Sequence, residues 1–425
     1  MVVDIDGHRG RLTRAEWMAL QAQLAAQGNA SSLKRHLAAQ TIYGEIDLTA
    51  NNQVKLLIDG PATFKAMFEA IDGARSTIML ESYIIDDKEL AQRLAALLEK
   101  KRAEGVAVVM IYDDIGSYAT PNAYFERLRT AGVAVCAFNP INPLKRPGYW
   151  AISHRDHRKI VVVDRAVAFT GGINISSVYS LGSLSGALNS AGVEGGWRDT
   201  QIELRGPAAQ TLDDMVRDTW GHQGCEGELP PAPDVTTQAT RSGGDVVQLI
   251  PSSPNDEFNR IYAMLLTAID AAQHSAHLTM AYFAPGEEMI DALSDAAGRG
   301  VDVQLVLPSI SDFKPVLYAG QSHYERLLKA GVRIHELRDA ILHAKTAVVD
   351  GVVSTVGSSN LDWRSLSANN EVNAVVYGED FAASMHAMFK RDVAASHEIL
   401  LKAWRRRGPW RRFLETSARA FEAFW

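Results

Sequence analysis

The chain has 425 residues, 47% apolar and 22% charged, a globular composition that is too long for one ordinary core. Its net charge of −7 excludes a generally basic nucleic-acid surface, so an anionic ligand has to be met by a local patch. No apolar run reaches roughly 18 residues and no leader of basic then apolar residues opens the chain; two cysteines suggest neither a disulfide framework nor a metal cluster, as fits a reduced compartment.

Residues 1–50 form a polar lead-in, where Thr13-Arg14-Ala15-Glu16 reads as a capping box opening a helix through about Gln27. Residues 54–58 are a short strand, and Gly60-Pro61 turns the chain into a helix through Ile71. A strand over 77–85, a helix over 88–103 and a strand over 106–112 make a βαβ unit, which implies parallel pairing. The same order returns as a strand over 278–283, a helix over 287–297 and a strand over 301–307. Phe125-Glu126-Arg127-Leu128 matches Tyr324-Glu325-Arg326-Leu327 at an offset of 199 (324 − 125). An offset this long is a duplicated domain rather than a solenoid. The expected organisation is a lead-in (1–50), a first domain (51–225), a Pro- and Gly-bearing linker (226–245), a second domain (246–400) and a basic-aromatic tail (401–425).

The chemistry sits in a repeated stretch. His157-Arg158-Lys159 runs to Asp164 and is followed by Gly171-Gly172-Ile173-Asn174. His343-Ala344-Lys345 runs to Asp350 and is followed by Gly357-Ser358-Ser359-Asn360. The Asn follows the His by 17 residues in both copies (174 − 157 and 360 − 343). On a strand, His and Lys two apart share a face, and an imidazole beside an ammonium suits a phosphate: one attacks phosphorus, the other neutralises an oxygen. Asp164 and Asp350 stand an odd number of residues from the Lys, facing away, so anchoring the strand end suits them better than touching substrate.

These motifs resemble the phospholipase D superfamily, and within it the chain looks like the bacterial cardiolipin synthases. Asp156-His157-Arg158-Lys159, the string from Gly357 through Ser365, and Asn370-Glu371-Val372-Asn373 carry that likeness most specifically. The resemblance implies an α/β fold: a duplicated phospholipase D-like domain, two mixed or parallel sheets flanked by helices, and one active site shared about a pseudo-twofold axis. It implies a catalytic motif of His157, Lys159, Asp164, His343, Lys345 and Asp350, with His157 as nucleophile and His343 as acid and base. Nothing local in the sequence decides that order. Gly172, Asn174, Ser358 and Asn360 would supply donors to the phosphate. Glu371 stands where the family places the carboxylate that orients a histidine, and Asp199 is the first-half match, 25 residues beyond Asn174 instead of 11. The extra residues, 176–196, read equally as a solvated insertion or a flap beside the site. With two cations the site needs no metal and no other cofactor.

The implied reaction is phosphatidyl transfer between phospholipids through a phosphohistidine, with phosphatidylglycerol or phosphatidylethanolamine as donor. The alternatives are a hydrolytic phospholipase D and a nuclease of the same superfamily, the latter disfavoured by the acidic balance. Lys402, Arg405, Arg406, Arg407, Arg411 and Arg412 interleave with Trp404, Trp410, Phe413, Phe421, Phe424 and Trp425, which suits peripheral binding at the cytoplasmic face of the membrane; a docked helix with a basic outer face is the other reading.

Overall fold

The computed structural model describes residues 5–7, 10–11, 30–40, 48–142, 153–183, 196–233 and 244–421; the helix expected after Thr13 lies outside them. Two short strands, β1 (Ile5–Gly7) and β2 (Gly10–Arg11), and helix α1 (Ala30–Gln40) precede the first half. That half begins with β3 (Leu48–Ile58), α2 (Asp59–Asp72), β4 (Thr77–Ser82), α3 (Glu89–Ala103), β5 (Ala107–Asp113), α4 (Asn122–Thr130) and β6 (Ala134–Phe138). It continues through β7 (Arg155–Asp156), β8 (Lys159–Val163), β9 (Val167–Gly171), β10 (Trp197–Arg198), β11 (Thr200–Arg205) and α5 (Pro207–Gln223). The second half repeats the plan with β12 (Asp245–Ser252), α6 (Arg260–Asp270), β13 (Ser275–Met280), α7 (Glu287–Gly298), β14 (Asp302–Pro308), α8 (Lys314–Ala330) and β15 (Arg333–Leu337). Then come β16 (Ile341–Leu342), β17 (Lys345–Val349), β18 (Val353–Gly357), α9 (Trp363–Ser367), β19 (Asn369–Tyr377), α10 (Glu379–Ala394) and β20 (Ser396–Glu398).

Strand order is β6-β5-β4-β8-β9-β11-β3 in the first half and β15-β14-β13-β17-β18-β19-β12 in the second. In each, the first three strands are parallel, as the βαβ spacing predicts, and the remainder antiparallel. The expected fold class holds, with one difference: the two mixed sheets are continuous. Residues 48–53 extend β3 beyond the predicted strand, and its antiparallel pairing with β12 merges both halves into one 18-stranded sheet. Asn52 makes that joint, donating to Thr49 O and Asp245 O and accepting from Ala208 N. A polar run such as Thr49-Ala50-Asn51-Asn52-Gln53 carries little strand propensity, so only the tertiary joint makes it a strand.

Both faces of each sheet are buried, which is why the strands read as unbroken apolar runs. Ile78, Leu80, Val161 and Val163 pack outward beneath α2 and α3. Their alternates Met79, Ile160 and Val162 face inward with Val348, Val356 and Val372 of the other half, together with Leu212 and Val216 of α5 and Met385 of α10. The halves thus share a core, and their relative position is as fixed as the interior of one domain.

Two sequence readings change here. Cys136 and Cys225 are disulfide-bonded, with Cα atoms 5.7 Å apart, which corrects the expectation of no bridge and removes the argument for a reduced compartment. The tail folds back: α11 (Leu401–Trp404) and α12 (Pro409–Ala420) dock on α8. The Trp404 ring lies 4.9 Å from that of Tyr324, while Arg405 pairs with Glu325, Arg407 with Glu415, and Arg411 donates to Gln321. Much of the basic row is therefore spent on the body of the protein.

Candidate active site

Two short pairings cross between the halves and build the site. β7 lies parallel to the start of β19, and β10 lies parallel to β16. Each delivers a motif histidine: His157 N donates to Asn370 O at 2.9 Å, and His343 N to Arg198 O at 2.8 Å. The strand leading into each motif is thus held by the other half, and the two histidines meet at the pseudo-twofold axis.

The carboxylates cross as well. His157 Nδ1 lies 2.9 and 3.0 Å from the two oxygens of Glu371, and His343 Nδ1 lies 2.8 Å from Asp199 Oδ2. The sequence marks both carboxylates as orienting groups without saying which histidine each serves; in the structure each serves the histidine of the opposite half. Asp199 fits because of Gly172, where a Cβ would collide with its carboxylate. Ser358 donates to Glu371 Oε2 at 2.5 Å, and Asn369 donates to Oε1 at 3.4 Å. Lys159 and Lys345 sit on the same strand face as their histidines, each ammonium 2.5 Å from the backbone oxygen of its motif histidine. Lys345 also reaches the His343 ring nitrogens at 2.9 and 3.2 Å.

Burial dominates the electrostatics. It pushes His157 well below the usual imidazole range, with Lys159, Lys345 and His343 adding to the effect. His343 is lowered by burial and Lys345, but Asp199 pulls it back. Lys159 is pushed down to about 7 by burial, and Glu371 is pushed up to about 7 by burial against the opposing charge of Lys159. A cluster of buried cations and carboxylates in this state is primed to gain from an anion that spans both ammonium groups.

Several assigned donors are already occupied. Gly172 N is committed to Thr200 O and Ser358 N to Val372 O, so neither N–H is available to phosphate. Asn174 accepts from Ile84 N and donates to Tyr179 Oη at 3.4 Å; Asn360 donates to Ser365 Oγ at the same distance. These contacts engage one amide N–H of each asparagine and leave the second for a ligand. His154, Arg155, Asp156 and Arg158 are braces: His154 meets Asn370, Arg155 pairs with Asp113, Asp156 N donates to Asp113, and Arg158 Nε donates to Glu371 O. Tyr83 and Tyr282 stand edge-on to His157 and His343, at 4.8 and 6.4 Å between ring centres.

The motif aspartates leave the catalytic set. Asp164 and Asp350 occupy left-handed turns (φ 51° and 50°) at the far ends of β8 and β17, a conformation aspartate tolerates. Asp164 accepts from the backbone of Arg75, Ser76 and Thr77. Asp350 accepts from the backbone of Gln273, His274 and Ser275, and from Arg35 and His36 of α1. Burial would raise the Asp350 carboxyl, but His36 and these N–H groups outweigh it and hold it well below the usual range. Its stabilisation is then complete above the unfolded pKa of about 3.9 and fades as pH falls below that. Asp350→Ala is expected to lower unfolding free energy by roughly 3 kcal/mol at pH 7 and less at pH 3, with turnover per folded molecule unchanged. Denaturant titrations at both pH values and an active-site count check this.

One site residue escaped sequence reasoning. Tyr179 is buried, with its hydroxyl 3.1 Å from His343 Nδ1, and Trp197 packs 5.2 Å from the same ring. The first residues of the 176–196 segment therefore cover the site; residues 184–195 lie outside the described ones. The signal was a matched spacing, Asn174 to Tyr179 and Asn360 to Ser365, five residues in each half. Tyr179→Phe is expected to lower kcat roughly tenfold with little change in KM, a loss of about 1.4 kcal/mol, and to shift the pH limb set by His343. Steady-state profiles across pH measure both.

Comparisons with known proteins bear on the family and the fold. A family model described as "Cardiolipin synthase, PLD-like domain" matches residues 67–180 and 265–393, one segment in each half. "Cardiolipin synthase A" of Pseudomonas fluorescens SBW25 is 38% identical over 392 residues, covering 91% of this chain and 78% of that protein. A cardiolipin synthase of Halalkalibacterium halodurans is 33% identical over 403 residues, covering 94% and 77%. Among solved structures, the phosphatidylserine synthase of Haemophilus influenzae Rd KW20 superposes with a TM-score of 0.66 at 14% identity, covering 92% of this chain and 97% of that one, a likeness of fold.

Proposed function

The chain belongs to the cardiolipin synthases with phospholipase D-like domains and is a phosphatidyltransferase acting on phospholipids, and from that premise we propose that it joins two phosphatidylglycerol molecules through a phosphohistidine. The observation that carries the reading is the crossed pairing of His157 with Glu371 and His343 with Asp199, which brings two oriented imidazoles and two ammonium groups to one place. His157 Nε2 attacks phosphorus while the bond to the headgroup oxygen breaks. His343 gives that oxygen its proton, and glycerol leaves. The neutral His343 then takes the proton from a hydroxyl of the acceptor lipid, whose oxygen attacks phosphorus and displaces His157. Lys159 and Lys345 carry the charge of the non-bridging oxygens, so the reaction proceeds with chelator present. The lowering of His157 by burial, Lys159 and Lys345 suits a neutral nucleophile, and the pull of Asp199 on His343 suits acid and base duty there.

The enzyme works peripherally on a lipid surface; among the described residues no helix is long and apolar enough to cross a membrane. Vesicles of labelled phosphatidylglycerol, with chelator throughout and products separated by chromatography, test the reading. Cardiolipin and glycerol are expected. Phosphatidic acid alone would mean hydrolysis, phosphatidylethanolamine consumed in its place would change the donor, and cleavage of DNA or RNA would move the enzyme to another branch of the superfamily.

A further inference from the structure

Large apolar side chains standing in water are ordinary when scattered singly, but here four of them gather at the segments that line the site. Tyr118 is 78% exposed, and its neighbour Ser117 donates to the backbone oxygen of Tyr83, the tyrosine edge-on to His157. Ile310 is 41% exposed on the loop whose Asp312 accepts from Tyr282, the tyrosine edge-on to His343. Leu181 is 46% exposed and two residues beyond Tyr179, which meets His343. Trp363 is 45% exposed and three residues beyond Asn360.

Tyr118 and Ile310 sit on the loops after β5 and β14, equivalent strands. Leu181 and Trp363 follow equivalent bridges, Ile85 to Ile175 and Phe283 to Leu361. Each half thus contributes one exposed apolar residue beyond a central strand and one beyond its motif asparagine, on or beside the segments that hold Tyr83, Tyr282 and Tyr179 against the two histidines. The four therefore gather around the mouth of the site.

We propose that this ring, Tyr118, Leu181, Ile310 and Trp363, inserts into the headgroup layer of a phospholipid surface, with the pseudo-twofold axis along the membrane normal. The proposal rests on the phosphatidyltransferase reading, which requires each lipid to reach buried histidines without dragging its chains through water. Arg364 and Lys314 are exposed beside Trp363 and the Ile310 loop, where cations meet lipid phosphates. Aromatic and aliphatic side chains flanked by cations are the composition of an interfacial contact. The orientation also sets the tail apart. α12 runs antiparallel to α8, with Arg411 beside Gln321 and Ala418 among Val316 and Ala319. The exposed Trp410 and Phe413 therefore lie down the flank, roughly 10 Å from the mouth-side end of α8.

Flotation with vesicles of equal phosphatidylglycerol and phosphatidylcholine tests this without requiring turnover. A Tyr118→Ser/Leu181→Ser/Ile310→Ser/Trp363→Ser protein is expected to lose at least tenfold in vesicle partition and to keep its unfolding midpoint. Trp410→Ser/Phe413→Ser is expected to bind like the parent. As a second measure, an environment-sensitive fluorophore on Tyr118→Cys or Ile310→Cys should report an apolar setting on vesicle binding, and one on Phe413→Cys an aqueous one. Binding lost only in the α12 variant, or a fluorophore at 118 or 310 that stays aqueous, overturns the proposal. Failure of the parent to bind vesicles overturns it too and gives the ring to a protein partner. Vesicle binding through the ring alongside failed phosphatidyl transfer would reject the enzymatic reading instead.

Discussion

A His343→Ala protein given a phosphatidyl ester of p-nitrophenol will release about one equivalent of p-nitrophenol in a burst and then stall. The first step replaces the bond to the leaving oxygen with one to His157. A phenolate leaves without being handed a proton, so that step survives the loss of the general acid. The second step does not, because the acceptor hydroxyl then has no base. Steady-state turnover should fall by about 10³-fold or more, the scale of a positioned acid-base group. The stalled protein should carry label on His157 that is stable to alkali and lost in acid. His157→Ala should show neither burst nor label. The order of roles rests on asymmetry at the axis: burial, Lys159, Lys345 and His343 all lower His157, which keeps it neutral and nucleophilic, whereas Asp199 restores part of the proton affinity of His343. Label retained in His157→Ala and absent from His343→Ala would reverse the two roles while leaving the shared site intact.

What was legible in the sequence was what short-range pattern encodes. Alternation put His and Lys on one face, a repeated spacing exposed the duplication, and apolar runs bounded by Gly and Pro located most strands. The oddness of the Asp spacing told correctly that Asp164 and Asp350 face away, even though motif membership placed them with the catalytic residues. What failed was long-range. His157 and Glu371 are 214 residues apart, and His343 and Asp199 are 144 apart, so no local pattern says that the carboxylates cross. The same holds for the joint at β3, which looks polar until β12 is beside it, and for the Cys136–Cys225 bond. Donor assignments to Gly172 and Ser358 failed for another reason: backbone N–H groups near a motif are spoken for by the sheet, and only the ladder reveals which are free.

Crossing gives Glu371 its most exacting test. A carboxylate that orients a histidine fixes which ring nitrogen carries the proton, and an amide in its place can present N–H where an acceptor is needed, so Glu371→Gln should lose on the order of 10²- to 10⁴-fold in kcat/KM. Burial pushes Glu371 up to about 7, so it is ionised above that pH and protonated below it. The free enzyme should therefore gain activity as pH rises through about 7, a limb belonging to the Glu371–His157 pair, and the Gln variant should lack it. Unfolding cannot be the cause. A carboxyl whose folded pKa exceeds its unfolded value of about 4.3 destabilises the fold increasingly between those two pH values, and by its full amount above about 7. Removing it offsets the hydrogen bonds it gives up with Ser358 and His157, so the melting temperature at pH 8 should not drop. A double-mutant cycle settles the wiring. Because the carboxylate acts through His157, Glu371→Gln added to His157→Ala should cost almost nothing further, whereas added to His343→Ala it should still abolish the p-nitrophenol burst. If Glu371 instead served the histidine of its own half, the burst of His343→Ala would survive the addition of Glu371→Gln, and the crossed pairing would be wrong.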